Sequence, residues 1–319
     1  MNWMLKGVTF LVLALAGVAW WFLLSGSDAA PSAPNLFPVD EWRAELADDN
    51  IAMRPTEIRL IEVGSDVAPR FAAQAGLFSL DWKTTYGGFQ IITPNGSIFV
   101  DGGIDGETAE IMAQSPETAS FNQAEYDALL SGMENAQHVL LTHAHRDHVI
   151  AVARHPRPSA ISSRLRLNAP QKIALGGFST SGVLPPEFEA VDPFFEDAIS
   201  KLAPGVVIAP SPGHTKGSQV VFVTLQNGRE LLLIGDIVWA ISNISDLKIR
   251  PRLTQAIVFD PNEDRSAIKQ QVRALHDLSE NEPDLVIMPA HDRDHLFSLV
   301  ESGSIALGIQ QHDFPVESQ

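Results

Sequence analysis

Val139-Leu140-Leu141-Thr142-His143-Ala144-His145-Arg146-Asp147-His148 is the stretch from which the rest of the chain can be read. An apolar run leads straight into four metal-ligand side chains, His143, His145, Asp147 and His148, within six positions. If the piece is extended, His143 and His145 point the same way, because strand side chains alternate with period two. Asp147 and His148 then fall where the chain turns and can reach a second point nearby. Two metal ions about 3.5–4 Å apart fit that arrangement.

Further candidates follow the same rule of an apolar strand and then a ligand. His214 comes after Val206-Val207-Ile208-Ala209, Asp236 after residues 230–234, and His291 after residues 285–288. Functional groups gather on loops at one edge of a rigid sheet. Strands are expected at 56–63, 84–93, 97–100, 138–141, 206–209, 219–225, 230–234 and 285–288. Asn95-Gly96 between two β-rich runs predicts a tight hairpin turn, and residues 226–228 predict a second. Helices are expected at 40–47, 121–133 and 262–278, the last placing Ile268, Val272 and Leu275 on one face. Residues 149–205 show no clear period. Hairpins followed by helices in both halves predict two sheets face to face with helices outside. No internal repeat is visible.

Composition narrows the chemistry. With 22 basic and 39 acidic residues the net charge is −17, and no Lys/Arg cluster appears, which argues against nucleic acid as a partner. There is no cysteine, so a metal would be held by nitrogen and oxygen alone. Gly7 to Leu24 runs without a charge, and eighteen residues rise about 27 Å, marginally enough to cross a hydrocarbon core. Trp20 and Trp21 suit its interface, and Lys6 is the one nearby positive charge. Residues 1–25 are therefore expected to be a membrane anchor or signal segment that exports the domain to the periplasm or outside. An uncleaved anchor in the cytoplasmic membrane is favoured over a cut near Ser27-Asp28-Ala29-Ala30 and secretion. Residues 26–39 read as a linker and 40–319 as the domain. No protein partner is implied.

Across residues 56–300 the chain resembles the metallo-β-lactamase-fold hydrolases. Five ordered elements carry the resemblance: Asp101-Gly102-Gly103, the His143-x-His145-x-Asp147-His148 motif, Gly213-His214-Thr215-Lys216-Gly217-Ser218, Gly235-Asp236, and Pro289-Ala290-His291-Asp292. It implies an α+β fold, a four-layer αβ/βα sandwich with the metal site at one edge of the sheets. It implies one metal on His143, His145 and His214, and another on Asp147, His148 and His291. Asp236 and a hydroxide would bridge them. Two Zn²⁺ ions are the natural occupants, with Fe or Mn as alternatives. Asp101 would orient a ligand imidazole; His295 is a lesser substitute for His291. His138, His155, His276 and His312 read as surface or packing residues.

The resemblance also implies a dinuclear hydrolase with Asp147 and Asp236 as catalytic carboxylates and a small-molecule substrate. The absence of cysteine excludes lactamases with a cysteine ligand, and Asp236 separates the chain from most others. Glyoxalase II-like thioesterases carry a basic helical extension, whereas only Arg293 is basic after His291. Quorum-quenching lactonases and related organophosphate hydrolases are the most similar branches. They imply cleavage of a small neutral ester, lactone or phosphotriester. A β-lactam or thioester hydrolase and a non-catalytic membrane-tethered metal-binding module are the alternatives. Phe178, Phe188, Phe194, Phe195 and Trp239 are candidates for an apolar substrate wall, and Tyr86 and Tyr126 are the only tyrosines. Arg146 and Lys216 flank the ligands and would either steer a substrate or stay as solvated charges.

Overall fold

A computed structural model describes residues 2–114, 116–194, 198–258 and 263–311 of the chain. It opens with α1 (Asn2–Leu23) and α2 (Val39–Glu45), then β1 (Glu57–Ala68), α3 (Arg70–Ala73), β2 (Trp82–Thr93) and β3 (Gly96–Val100). Next come α4 (Gly106–Met112), β4 (Ser120–Phe121), α5 (Gln123–Glu134), β5 (His138–Leu140) and α6 (Arg146–Ala153). Short pieces follow: α7 (Pro158–Ile161), β6 (Leu165–Arg166), α8 (Ala169–Leu175) and α9 (Pro186–Glu189). β7 (Ser200–Ala203), β8 (Val206–Pro210), β9 (Gln219–Thr224) and β10 (Glu230–Gly235) make the second run of strands. The described chain closes with α10 (Ser242–Ser245), α11 (Arg252–Val258), α12 (Arg265–Asn281), β11 (Val286–Pro289), α13 (Arg293–Glu301) and β12 (Ala306–Leu307).

The strands form two sheets. One has the order β12-β1-β2-β3-β5-β6 with β4 added beside β1, and the other is β11-β10-β9-β8-β7. Period-two alternation decides which core each residue enters. On β8, Ile208 faces the other sheet and meets Leu60, Ile91 and Val100, while Val207 faces outward. There it joins Phe222 and Leu232 beneath Trp42 of α2 and Ile268, Val272 and Leu275 of α12. The outer face of the first sheet, with Ile61, Phe99 and Val139, is covered by Leu129 of α5 and Val149 and Val152 of α6. The result is the expected four-layer αβ/βα sandwich, and burying each such aliphatic side chain contributes about 1.5–3 kcal/mol.

Several local expectations differ. The first hairpin pairs Thr93 with Gly96, so the loop is Pro94-Asn95 rather than Asn95-Gly96. Proline's fixed φ suits the first central turn position and moves the turn by one residue. β1 continues past Val63 to Ala68 through a register shift between Glu62 and Gly64. Ser120–Phe121 is a strand, and the next helix starts after Asn122, whose side chain accepts from Glu125 N. The last long helix starts at Arg265, capped by Asp264; Asn262 lies outside the described residues. The segment after His291, left unassigned by its pattern, forms α13 and β12, and β12 pairs in parallel with β1.

Several groups within residues 26–39 contact the domain. Ser27 is buried, Ala29 N donates to Leu247 O at 2.8 Å, and Phe37 and Val39 enter the core beside Trp42. The small and apolar side chains of this Pro-rich stretch allow that close approach. α1 is different: its Trp3–Leu23 portion has a mean hydropathy of 1.8 and no buried share, and is long and apolar enough to cross a membrane.

Trp42 has no exposed surface and packs against Phe37 and Phe222, with ring centroids 6.5 and 5.5 Å away. Trp42→Ala should destabilise the domain by about 3–5 kcal/mol, read as a lowered thermal unfolding midpoint. An unchanged midpoint would contradict this packing.

Candidate metal centre

Seven side chains from four places in the sequence meet at one edge of the sandwich. His143 and His145 lie in the loop between β5 and α6, and Asp147 and His148 occupy the first turn of α6. His214 follows β8, Asp236 directly follows β10, and His291 follows β11. The two sheets are stitched here: Gln219 N donates to Thr142 O at 2.8 Å. Gly235 has φ +52°, and a Cβ on it would stand 2.8 Å from Thr142. A side chain at that position would push Asp236 away from the histidines.

The geometry is divided about Asp236. Its Oδ2 lies 3.8 Å from His143 Nε2 and 3.5 Å from His214 Nε2. Its Oδ1 lies 3.3 Å from His148 Nε2 and 3.2 Å from His291 Nε2. His145 completes the first group, its ring centroid 4.8 Å from that of His143 and 4.5 Å from that of His214. Asp147 completes the second, with Oδ2 3.3 Å from His291 Nε2. In the sets His143/His145/His214, His143/His148/Asp236 and Asp147/His148/His291, the donor atoms lie within 4.8 Å of one another.

The outward nitrogens explain which way the rings face. His291 Nδ1 donates to Thr85 O at 2.8 Å, and a carbonyl can only accept. His148 Nδ1 donates to Asp101 Oδ2 at 2.9 Å, and His214 Nδ1 to Glu263 Oε1 at 3.0 Å. The Thr142 hydroxyl donates to Asp101, which leaves its oxygen to accept from His143 Nδ1 at 3.1 Å. With the outer nitrogen of each ring engaged, these four rings turn Nε2 toward the centre. That is how metal-binding imidazoles are oriented. His143 Nε2 and Asp236 Oδ1 are buried and make no hydrogen bond. His148 Nε2 and His291 Nε2 face each other at 3.1 Å, where two lone pairs repel unless a cation or proton lies between. The donor set therefore fits divalent metal.

Charge points the same way. Burial drives the proton affinity of His143 well below the ordinary range, and His148 adds to it; burial and His214 lower that of His145 to about 4. Burial also opposes protonation of His148 and His291, but the carboxylates outweigh it, Asp101 foremost for His148 and Asp236 for His291. Burial would raise the pKa of Asp236, yet His291, His148 and His143 hold it well below the usual carboxylate range. A buried centre with four carboxylates, Asp101, Asp147, Asp236 and Glu263, on five imidazoles attracts positive charge.

The structure also places residues that the pattern missed. Glu263 reaches His214, and Arg250 donates to Glu263 and, at 3.0 Å, to the carbonyl oxygen of Asp236. Burial raises the pKa of Glu263, but the Arg250 charge overcomes this and brings it to about 2. Glu263 precedes α12 in a polar stretch and carries no spacing signal. Trp239 donates from Nε1 to Asp236 Oδ2 at 2.8 Å and stacks on Trp82 at 5.8 Å.

Other candidates go elsewhere. Phe188 is fully buried in the core beneath α5 and α6, and Phe178 packs against the same cluster. Phe194 lines a cleft with Leu165 and Arg166 that includes none of the seven residues. Phe195 and His312 lie outside the described residues. His295 directs Nε2 to Ile287 O, away from the centre. His155 contacts Leu130 O, His276 contacts Ile244 O, and His138 is half-buried on β5. Arg146 and Lys216 are exposed. Tyr86, by contrast, places its ring edge-on to His291 at 5.7 Å.

Glu263→Gln keeps the shape but removes the charge behind His214. It should weaken metal retention against a competing chelator by about 10–100-fold, with the fold retained by circular dichroism. Equal retention would remove Glu263 from the support of the centre.

Comparison with known proteins agrees with the geometry. The metallo-beta-lactamase superfamily model matches residues 90–291, a span that holds all seven residues and ends on His291. No curated protein gives a significant sequence match. Among solved structures, an N-acyl homoserine lactone hydrolase with N-hexanoyl-L-homoserine bound at its catalytic metal centre aligns with TM-score 0.56. Its identity is 14%, over 77% of this chain and 97% of that one. A quorum-quenching N-acyl homoserine lactone hydrolase aligns with TM-score 0.56 and 16% identity, over 77% and 96%. A probable metal-dependent hydrolase from Staphylococcus aureus aligns with TM-score 0.55 and 16% identity, over 75% and 91%. Identities this low establish likeness of fold. With the family match covering most of the sandwich and its whole ligand edge, the chain belongs to the metallo-beta-lactamase superfamily.

Proposed function

We propose that the chain is a dinuclear metal-dependent hydrolase acting on a small neutral ester, lactone or phosphotriester. His143, His145 and His214 would hold one cation and Asp147, His148 and His291 the other, with Asp236 joined to both. The observation that carries this reading is the split of the Asp236 carboxylate, one oxygen toward each group of imidazoles. Zinc suits imidazole and carboxylate donors, and iron or manganese could take the same places. Bound there, two dications lower the pKa of water toward neutrality and polarise the scissile oxygen.

The protein's own groups would then position the substrate. Asp147 keeps 15% of its side chain exposed, the others of its cluster being nearly fully buried, so the approach lies on its side. The stacked Trp82 and Trp239 give an apolar wall beside Asp236 and His291, which favours an uncharged acyl or aryl group. Burial raises the pKa of the Tyr86 phenol, and the Asp147 charge raises it further. The hydroxyl therefore keeps its proton at neutral pH and can donate to a developing oxyanion. The solved lactone hydrolases of this fold support the ester and lactone class. We place the domain outside the cytoplasmic membrane, anchored by α1 through residues 7–24, with the secreted form as the alternative if that helix is cleaved.

Asp236→Ala should leave the sandwich folded, reduce bound metal below two per chain, and collapse hydrolysis of an aryl ester or lactone. Metal analysis coupled to the assay reads both, and undiminished activity would refute the joining role. Tyr86→Phe should lower kcat by about 10²–10³-fold, the cost of one oxyanion donor, while metal content stays constant. An unchanged kcat would exclude the phenol from the reaction.

A further inference from the structure

Outside α1, most large exposed hydrophobic residues are scattered, but three stand beside the point where α1 meets the domain. Phe78 is 56% exposed and Leu80 73% on the loop after α3, and Ile257 is 72% exposed on α11. Backbone bonds tie these segments together: Ile249 N donates to Ser27 O at 2.8 Å, and Ala75 N to Ile249 O at 3.2 Å. A methyl group on Gly76 would stand 3.8 Å from Leu24 Cδ2. The Arg252 guanidinium, at the start of α11, lies 4.4 Å from the ring centroid of Trp21, and Arg265 donates to Gly26 O at 3.3 Å. α11 packs against both α1 and α3.

Trp20 and Trp21 lie near the end of the apolar run and mark an interfacial depth. Phe78, Leu80 and Ile257 belong to segments that touch the chain within a few residues of that depth. Arg252, partly exposed, puts a positive charge at the same level, in a chain whose net charge is −17. Asp28 and Asp81 are exposed in the same region, and Asp28 is paired with Lys248.

Resting on the anchor reading above, we propose that the loop at 76–81 and α11 form a second membrane contact. Together with the end of α1 they seat the domain on the boundary between headgroups and acyl chains of the bilayer that α1 crosses. α3 links this contact to the metal centre, since Ala72 and Ala73 pack on the Trp82–Trp239 pair. The apolar wall of the site is thus one layer of side chains from the lipid.

The absence of cysteine makes the test direct. Phe78→Cys, Leu80→Cys and Ile257→Cys would each be made in the full chain, spin-labelled, and reconstituted in phosphatidylcholine/phosphatidylglycerol vesicles. Leu13→Cys serves as the anchor probe and Ile173→Cys, 83% exposed on α8, as the water probe. Accessibility to oxygen and to a water-soluble nickel chelate reads immersion. The expected result is lipid exposure at 78, 80, 257 and 13, and water exposure at 173. Water exposure at 78, 80 and 257 with position 13 in lipid overturns the second contact and leaves the anchor standing. Position 13 in water overturns both. Lipid exposure at 173 as well would mean indiscriminate adsorption and would also overturn the proposal.

Discussion

The Asp236 carboxylate stands between two groups of imidazoles, and the surrounding structure is arranged to keep it there. Its two oxygens each face two Nε2 atoms at 3.2–3.8 Å. Burying so many polar groups is costly unless each has a partner. The outer ring nitrogens find theirs in Asp101, Thr142, Glu263 and the Thr85 carbonyl, which also fixes the rings to face inward. The inner atoms are left for a cation. Gly235 and the Gln219–Thr142 bond hold the two sheets close enough for both groups to share one carboxylate.

Much of this was legible because the ligands follow strands. An apolar run followed by histidine or aspartate gives both an element and the edge at which it ends. The sandwich, the seven side chains and a role for Asp101 in orienting a ligand imidazole could be anticipated from that pattern and the family resemblance; that the imidazole is His148 comes from the structure. What could not be read comes from residues whose partners are remote and unpatterned. Glu263 is 49 positions from His214, and Thr85 acts through a carbonyl that every residue possesses. Of the aromatics read as candidates for a substrate wall, burial assigns Phe188 to the core, whereas Trp239 stands beside Asp236 and stacks on Trp82, a partner that the pattern did not single out. Residues 149–205 resisted reading because short helices such as α7 and α9 contain little more than one turn. A single turn carries no hydrophobic period.

The acidic, cysteine-free composition becomes intelligible beside the site. With no cysteine in the chain, the donors gathered at the centre are nitrogen and oxygen alone. The same edge of the molecule then joins three layers: the metal centre, the stacked indoles, and α3 with its neighbours at the foot of α1. Substrate recognition by apolar contact and attachment to a membrane would draw on adjoining surfaces.

The most direct measurement is X-ray diffraction from metal-loaded crystals with data collected at the absorption edge of the bound metal. The account predicts two anomalous peaks about 3.5–4 Å apart, one beside His143, His145 and His214, the other beside Asp147, His148 and His291, with Asp236 between them. A single peak without Asp236 as a ligand, or metal bound elsewhere on the chain, would contradict it.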